Sequence, residues 1–192
     1  MRKFLIVGLG NIGNEYAGTR HNIGFDIVDA FVEKHEGISK VDRLSIVSEI
    51  KYKGKPVTCI KPTTYVNLSG KAVKFWQEKE NISIENLLVI VDDLAIPFEK
   101  LRLRATGSHA GHNGLKSVQE ALNTDNYPKL RFGIGKNFPK GKQVDYVLGR
   151  WTDDEMPVVQ TKISKCVELI ESFIQNGIEL TMNQYNNLTF KL

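Results

Sequence analysis

The stretch FLIVGLGNIGNEYAGTRHNIGF, residues 4–25, decides the fold and carries the first candidate functional group. It opens on an apolar run that closes on glycines, a pattern that predicts a buried β-strand. The polar residues that follow lie where open α/β sheets bind ligands, just past the carboxyl end of a strand. Helical periodicity begins near Asn22, so His21 is expected at the entrance to a helix. A functional role for later motifs depends on whether the fold brings them to His21.

The glycines at positions 8, 10 and 13 spell G-x-G-x-x-G after the predicted strand, which is a fingerprint of dinucleotide-binding proteins. That motif needs a helix that opens within the glycines, so that the pyrophosphate lies on its N-terminus. Residues 14–19 are turn-like instead, and no clear second strand with an acidic end follows at the proper distance. A nicotinamide-binding oxidoreductase is therefore an alternative that the residues disfavour.

Composition predicts one soluble domain over residues 1–192. The chain has 41% hydrophobic and 25% charged residues, and its length suffices for a sizeable core. The N-terminal apolar run is too short to cross a membrane and lacks a small-residue cleavage site, so we expect no membrane association and no signal peptide. Cys59 and Cys166 lie in apolar contexts, which is typical of the reducing cytoplasm rather than of a disulfide framework.

Apolar runs of strand length alternate with segments of helical periodicity. Strands are predicted over residues 4–7, 44–50, 56–60, 87–91, 101–104, 130–134 and 144–148. Helices are predicted over residues 22–35, from Ser69 as N-cap through Trp76, over 115–122, and from near Asp153 toward Gly177. The alternation indicates the α/β class, a single domain with a twisted, largely parallel mixed β-sheet flanked by helices.

No side chain stands out as a nucleophile, so water is the expected attacking group. Ser108 misses the G-x-S-x-G frame by one place, and Cys59 belongs to an apolar strand. Water needs a base, and His21 is the best candidate because an imidazole titrates near neutral pH. Asp92, at the end of a strand, is suited to hold the proton of the distal ring nitrogen. His21 alone is equally compatible with a structural role at a helix start.

Metal binding is the rival interpretation of the same residues. His109 and His112, with Asp92 and Asp93, supply enough ligands for a zinc ion. The two histidines lie in a glycine-rich turn rather than four residues apart on a helix, and no H-E-x-x-H motif occurs. We therefore expect no metal and no other cofactor.

The distribution of basic residues indicates nucleic-acid binding. The net charge of +4 is modest, but lysines and arginines gather between residues 100 and 142, where they can neutralise phosphates. They are Lys100, Arg102, Arg104, Lys129, Arg131, Lys136, Lys140 and Lys142. A non-catalytic RNA-binding protein on the same fold is therefore a second hypothesis from a different functional class.

Several spaced motifs together resemble those of the bacterial-type peptidyl-tRNA hydrolases. They are GLGN at 8–11 with Tyr16 and TRHNIG at 19–24, KPT at 61–63 with NLSG at 67–70, DDL at 92–94 before Pro97, and GHNGLKS at 111–117. The segments LRFGIG at 130–135 and YVLG at 146–149 extend the match, which covers roughly residues 3–175 in the same order. Four spaced motifs are far more specific than any one of them.

The resemblance implies hydrolysis of the ester between a peptide's C-terminus and the 3′ ribose of tRNA, which recycles tRNA from aborted translation. His21 is then the general base on water, and Asp92 stabilises its proton-accepting form. Asn11 is expected to help distinguish N-blocked peptidyl-tRNA from free aminoacyl-tRNA. Asn67 and Asn113 are expected to bind the peptide backbone, the attacking water or the developing oxyanion.

By the same resemblance the remaining residues contact tRNA. Tyr16 and Tyr65 would line the cleft around the tRNA 3′ end. Arg104 and Arg131 match the family's clamp for the 5′ phosphate, a group suited to guanidinium forks. Looser, salt-dependent attraction is expected from three lysines: Lys136, Lys140 and Lys142. The expected partner is peptidyl-tRNA, bound by a monomer.

The sequence departs from the family pattern in three places. Tyr65-Val66-Asn67 replaces the common Phe-Met-Asn, so a β-branched residue stands where the family has a flexible methionine. Ala110 replaces a glycine before Gly111, and Ala95 replaces an acidic residue two places before Pro97. None of these changes removes a candidate chemical group, so they affect the shape of the pocket and the affinity for peptide rather than the reaction.

Overall fold

The apolar run at the start of residues 4–25 forms the central strand of the sheet, β1 (Phe4–Gly8). The computed structural model describes all 192 residues. The other strands are β2 (Ser39–Asp42), β3 (Ser45–Tyr52), β4 (Lys55–Pro62), β5 (Leu87–Asp93), β6 (Leu101–Arg104) and β7 (Lys129–Gly133). The helices are α1 (Ile23–Lys34), α2 (Ser69–Lys79), α3 (Asn113–Leu122), α4 (Gln143–Val147), α5 (Met156–Asn176) and α6 (Ile178–Tyr185).

The seven strands form one sheet in the order β2-β3-β4-β1-β5-β7-β6. Strand β1 pairs in parallel with β4 and with β5, and β5 pairs in parallel with β7. The edges are antiparallel, because hairpins join β2, β3 and β4 on one side and β6 runs against β7 on the other. The predicted fold, a largely parallel mixed sheet flanked by helices, is confirmed.

Both faces of the sheet are covered by helices, which explains why β1 is apolar at every position. Phe4 and Ile6 belong to one core with residues of α1 and α5, while Leu5 and Val7 belong to a second core with residues of α2 and α3. Alternate side chains of a strand point to opposite faces, so a strand buried on both sides reads as a continuous apolar run.

Glycines bring the start of α1 into contact with the ends of β1 and β5. A Cβ atom on Gly24 would lie 2.5 Å from the carbonyl oxygen of Ile90 and 2.8 Å from the amide nitrogen of Leu9. Only glycine permits this approach, which places the turn just before α1 at the carboxyl end of the sheet. The helix begins at Ile23, ten residues after Gly13, so no helix N-terminus lies within the glycines as a dinucleotide fingerprint requires.

Three local predictions need correction. Residues 39–42 form the short edge strand β2, which has no clear alternation to reveal it. Residues 144–148, predicted as a strand, fall largely in α4, because Val144, Val147 and Leu148 also lie on one face of a helical turn. Ser69 is the first residue of α2 rather than its N-cap, and its hydroxyl donates to the carbonyl oxygen of Val66.

None of the six helices is both long enough and apolar enough to cross a membrane.

The long helix α5 carries a fully buried lysine, Lys162, with no carboxylate in salt-bridge contact. Its ammonium donates to the carbonyl oxygens of Phe98 and Gly133 and lies 3.7 Å from the centre of the Phe132 ring. Burial lowers the pKa of Lys162 to about 7.

Lys162 makes the stability of the protein depend on pH. Its pKa in the folded chain, about 7, lies below the ordinary lysine value, so the unfolded chain binds the extra proton between these two values. Stability therefore rises with pH in this window. Relative to Lys162→Met, the wild type should gain about 2 kcal/mol of unfolding free energy between pH 7 and pH 9. Urea denaturation of both proteins at both pH values measures it, and parallel pH dependences would contradict this role.

Candidate active site

A cleft of about 650 Å³ opens beside the carboxyl ends of β1 and β5. Eight of the twelve residues predicted for the site line it: Asn11, His21, Tyr65, Asn67, Asp92, Asn113, Arg131 and Lys136. The other four lie outside its lining: Tyr16, Arg104, Lys140 and Lys142. The sheet thus gathers residues separated by more than 100 positions at one edge, as parallel α/β sheets do.

The centre of the cleft is a hydrogen bond between His21 and Asp92. His21 lies on the 3₁₀ turn Arg20–Asn22 that leads into α1, and Asp92 lies at the end of β5. The Nδ1 atom of His21 is 3.0 Å from Oδ1 of Asp92, which is only 5% exposed. An ionised carboxylate only accepts hydrogen bonds, so Nδ1 carries the proton and Nε2 remains the basic nitrogen of His21.

His112 donates to the same carboxylate oxygen. Its Nε2 atom is 3.1 Å from Oδ1 of Asp92, and its ring stacks on that of His21 with centres 5.1 Å apart. At the start of α3, the Nδ1 atom of His112 accepts hydrogen bonds from the amides of Gly114 and Leu115. An accepting nitrogen bears no proton, so His112 is the neutral tautomer with its proton on Nε2.

These contacts shift the pKa values of Asp92 and His21 in opposite directions. Burial alone would raise the pKa of Asp92, but the hydrogen bonds from His112 and His21 hold it well below its usual range. Burial alone would lower the pKa of His21, but the hydrogen bond and the negative charge of Asp92 raise it above the ordinary imidazole value. His21 is therefore a stronger base than a free histidine.

The same three residues are the only group with a spacing that suits a metal ion. Ligand atoms of His21, Asp92 and His112 lie within 4.8 Å of one another, whereas His109 and Asp93 are not part of the group. The facing atom of His112, Nε2, carries a proton while Nδ1 caps α3, so neither nitrogen is free to coordinate a metal. The donor set fits a hydrogen-bonded network better than a zinc site.

Three asparagines line the same cleft as His21. The backbone of Asn11 is fixed by Asn22, whose Oδ1 accepts from the amide of Asn11 and whose Nδ2 donates to its carbonyl. Asn67, on the 3₁₀ turn before α2, and Asn113, the first residue of α3, are both exposed in the cleft. These amides can donate to carbonyls and accept from N–H groups, as recognition of a peptide backbone requires.

The basic residues fall into two groups. Arg131 is buried, and its guanidinium forms an ion pair with Asp93 at 3.1 Å and donates to the carbonyl oxygen of Ser108. Arg104 is exposed on the edge strand β6, and three lysines are exposed on the loop after β7 and at its end. They are Lys136, Lys140 and Lys142.

Two residues of the site have roles that sequence analysis missed. The sequence indicates His112 only as a metal ligand, because the helix is predicted from residue 115 and begins at Asn113, so the N-cap position of His112 has no local signal. Its hydrogen bond to Asp92 has no signal in the sequence, because it depends on the path of the 19 residues between them. Asn22 follows His21 in the motif, but nothing in the local sequence shows that it binds Asn11.

Comparison with known proteins gives matches over nearly the whole chain. A profile of the peptidyl-tRNA hydrolase family matches residues 5–192. A peptidyl-tRNA hydrolase from Parabacteroides distasonis is 51% identical over 185 residues, covering 96% of this chain and 99% of the relative. One from Clostridium botulinum is 39% identical, covering 98% of this chain and all of the relative.

The fold agrees as well. The crystal structure of peptidyl-tRNA hydrolase from Acinetobacter baumannii matches this structure with a TM-score of 0.91 at 33% identity, covering 97% of this chain and 95% of that one. Sequence and structure therefore agree over nearly the whole length, and this chain belongs to the peptidyl-tRNA hydrolase family.

Proposed function

We propose that this chain hydrolyses the ester between a peptide and the 3′ end of tRNA, with His21 as the general base on water. Family membership supports the reaction. The observation that carries the mechanism is the 3.0 Å contact from Nδ1 of His21 to Asp92, because it fixes the tautomer whose Nε2 can accept a proton.

In this mechanism Nε2 of His21 takes a proton from water while the water oxygen attacks the ester carbonyl carbon. The resulting tetrahedral intermediate carries the negative charge on the former carbonyl oxygen. It collapses with cleavage of the bond to the 3′ oxygen of the ribose, and the imidazolium returns its proton to that oxygen. Asp92 stabilises the imidazolium, and His112 keeps Asp92 in place by its second hydrogen bond.

Three amides are proposed to handle the peptide end of the substrate. Asn11, Asn67 and Asn113 line the cleft, so they can bind the peptide backbone, the attacking water or the oxyanion. Binding of backbone rather than side chains suits an enzyme that accepts many peptides. Tyr65, 81% exposed, offers a ring at the rim for the terminal nucleotides, whereas Tyr16 can contribute only from outside the cleft lining.

The exposed cations are proposed to hold tRNA. Arg104, Lys136 and Lys140 are exposed and can approach phosphates. Lys142 is also exposed but can do so only while it shares its charge with Asp145, 3.6 Å away. Arg131 can contact the 5′ phosphate only while sharing its guanidinium with Asp93. We place the reaction in the cytoplasm because Cys59 and Cys166 are both buried free thiols, and we propose that the chain acts as a monomer.

Replacing His21 separates binding from chemistry. His21→Ala should lower kcat for an N-acetylated aminoacyl-tRNA by about 10³-fold or more, while tRNA binding is retained, because only the base is lost. His35→Ala, which changes a histidine at the far end of α1, is the control and should keep full activity. Retained turnover in His21→Ala would end its role as base. Wild-type protein that binds tRNA without cleaving it would favour the non-catalytic RNA-binding hypothesis.

The pH dependence of kcat should report the Asp92–His21 pair. Protonated His21 cannot act as a base, so activity is lost as the pH falls through its raised pKa, above the ordinary imidazole value. Asp92→Asn should lower kcat by about 10²-fold or more and move the apparent pKa downward, because the charge that raises it is gone. Rates between about pH 5 and pH 9, corrected for spontaneous ester hydrolysis, measure both effects. An unchanged apparent pKa in Asp92→Asn would rule out this coupling.

A further inference from the structure

The side chain of Arg20, directly before His21, contacts residues 146–155 rather than the cleft. It is 6% exposed. Its Nη2 atom lies 3.1 and 3.3 Å from the two carboxylate oxygens of Glu155, and Nη1 donates to the carbonyl oxygen of Tyr146 at 3.2 Å. The guanidinium carbon is 4.2 Å from the centre of the Tyr146 ring and 5.3 Å from that of Trp151.

Backbone contacts also join residues 19–20 to residues 149–150. The amide of Arg20 donates to the carbonyl oxygen of Gly149 at 3.0 Å, and Thr19 forms an antiparallel bridge with Arg150. A Cβ atom on Gly149 would lie 2.9 Å from Nη1 of Arg20 and 3.0 Å from the carbonyl oxygen of Asp145, so a side chain at this position would displace the guanidinium. The turn that carries His21 is therefore bonded directly to the segment that follows α4.

Helix α4 forms one wall of the cleft but cannot be stable on its own. Gln143, Val144, Val147 and Leu148 line the cleft from this segment. A helix of five residues has no independent stability in water, so contacts made from outside must set its position. Tyr146 supplies these contacts: it stacks on Arg20, packs against Phe138 at 4.9 Å between ring centres, and donates its hydroxyl proton to the carbonyl oxygen of Ile134.

We propose that Arg20 is a positioning residue that holds α4 against the turn of His21, so that one side chain sets both the cleft wall and the general base. Tyr146 extends the connection to the basic loop over residues 135–142, which carries Lys136 and Lys140. The inference rests on the proposed function, since it assumes that His21 is the base. Arginine suits the task where lysine does not, because a planar guanidinium can lie on the Tyr146 ring while Nη2 binds Glu155 and Nη1 donates to the carbonyl oxygen of Tyr146.

The nature of the Arg20–Glu155 pair agrees with a positioning role. Such pairs, when largely buried, add little net stability, because desolvation of both charges offsets their attraction. They do fix geometry, and Glu155 is itself fixed because its carboxylate accepts from the amide of Thr152. The pair thus ties the His21 turn to the start of α5 as well as to α4.

Hydrogen exchange tests the hold on α4 without relying on activity. In Arg20→Lys, amides of residues 143–149 should exchange about 10-fold faster or more, while those of β5 stay as in the wild type. Arg150→Lys, an exposed neighbour, is the matched control and should leave both sets unchanged. Unchanged exchange in α4 of Arg20→Lys would overturn the proposal.

Kinetics tests the link to catalysis. For folded Arg20→Lys, kcat should fall about 10-fold and KM should rise, because both the base and the cleft wall lose their placement. A merely structural role would reduce the amount of folded enzyme but leave kcat per folded molecule and KM unchanged, which would overturn the proposal. Glu155→Gln, which keeps the size of the side chain but only one of its two acceptor oxygens, should show the same changes in weaker form, and guards against misfolding of Arg20→Lys.

The two experiments also separate this proposal from the proposed function. If His21→Ala still turns over substrate, His21 is not the general base. The positioning role of Arg20 then fails as well, even if hydrogen exchange in α4 responds to Arg20→Lys. Loss of turnover in His21→Ala, together with wild-type kcat and KM in Arg20→Lys, would overturn the positioning role alone. Faster exchange with the expected change in both kinetic constants would establish it.

Discussion

One carboxylate oxygen, Oδ1 of Asp92, accepts hydrogen bonds from two histidines, and the arrangement of the site follows from it. A buried carboxylate without partners would take up a proton and lose its charge. Here two N–H donors keep it ionised, and the ionised form in turn fixes which nitrogen of His21 is basic. The neighbouring segments support this constraint from opposite sides: α1 places His21 through the contact of Gly24 with β5, and α3 places His112 through its own N-terminal amides.

The fold could be predicted in outline because its signals are local. The apolar run of β1, the periodicity of α1 and the hairpin of β3 and β4 can each be recognised within fewer than twenty residues. The mistakes fall where local patterns are ambiguous. The apolar pattern of a segment as short as 144–148 fits a strand and a helical turn equally well. Its contacts in the fold, such as that of Tyr146 with Arg20, decide between them.

The chemical groups of the site could be named from the sequence, but their connections could not. His21 and Asp92 follow from the need for a base and an acid at strand ends. The second donor to Asp92 and the support of Asn11 by Asn22 depend on loops whose course has no local signal. The pairing of Arg131 with Asp93 depends on β7 lying beside β5 in the sheet, which no local pattern shows. Arg131 illustrates the difference, because an arginine that looks available for phosphate in the sequence is engaged by a neighbouring strand in the fold.

The central place of β1 in the sheet affects how the chain folds during synthesis. Its two neighbours lie far along the chain: Phe4 pairs with Val57 of β4, and Leu5 pairs with Leu87 of β5. During synthesis this apolar strand therefore emerges before both of its partners, a situation typical of slow, non-local sheets. His21 stays apart from Asp92 for the same interval. The His21–Asp92 pair therefore forms only when β1 and β5 pair in the sheet, so a chain that ends before β5 cannot form it.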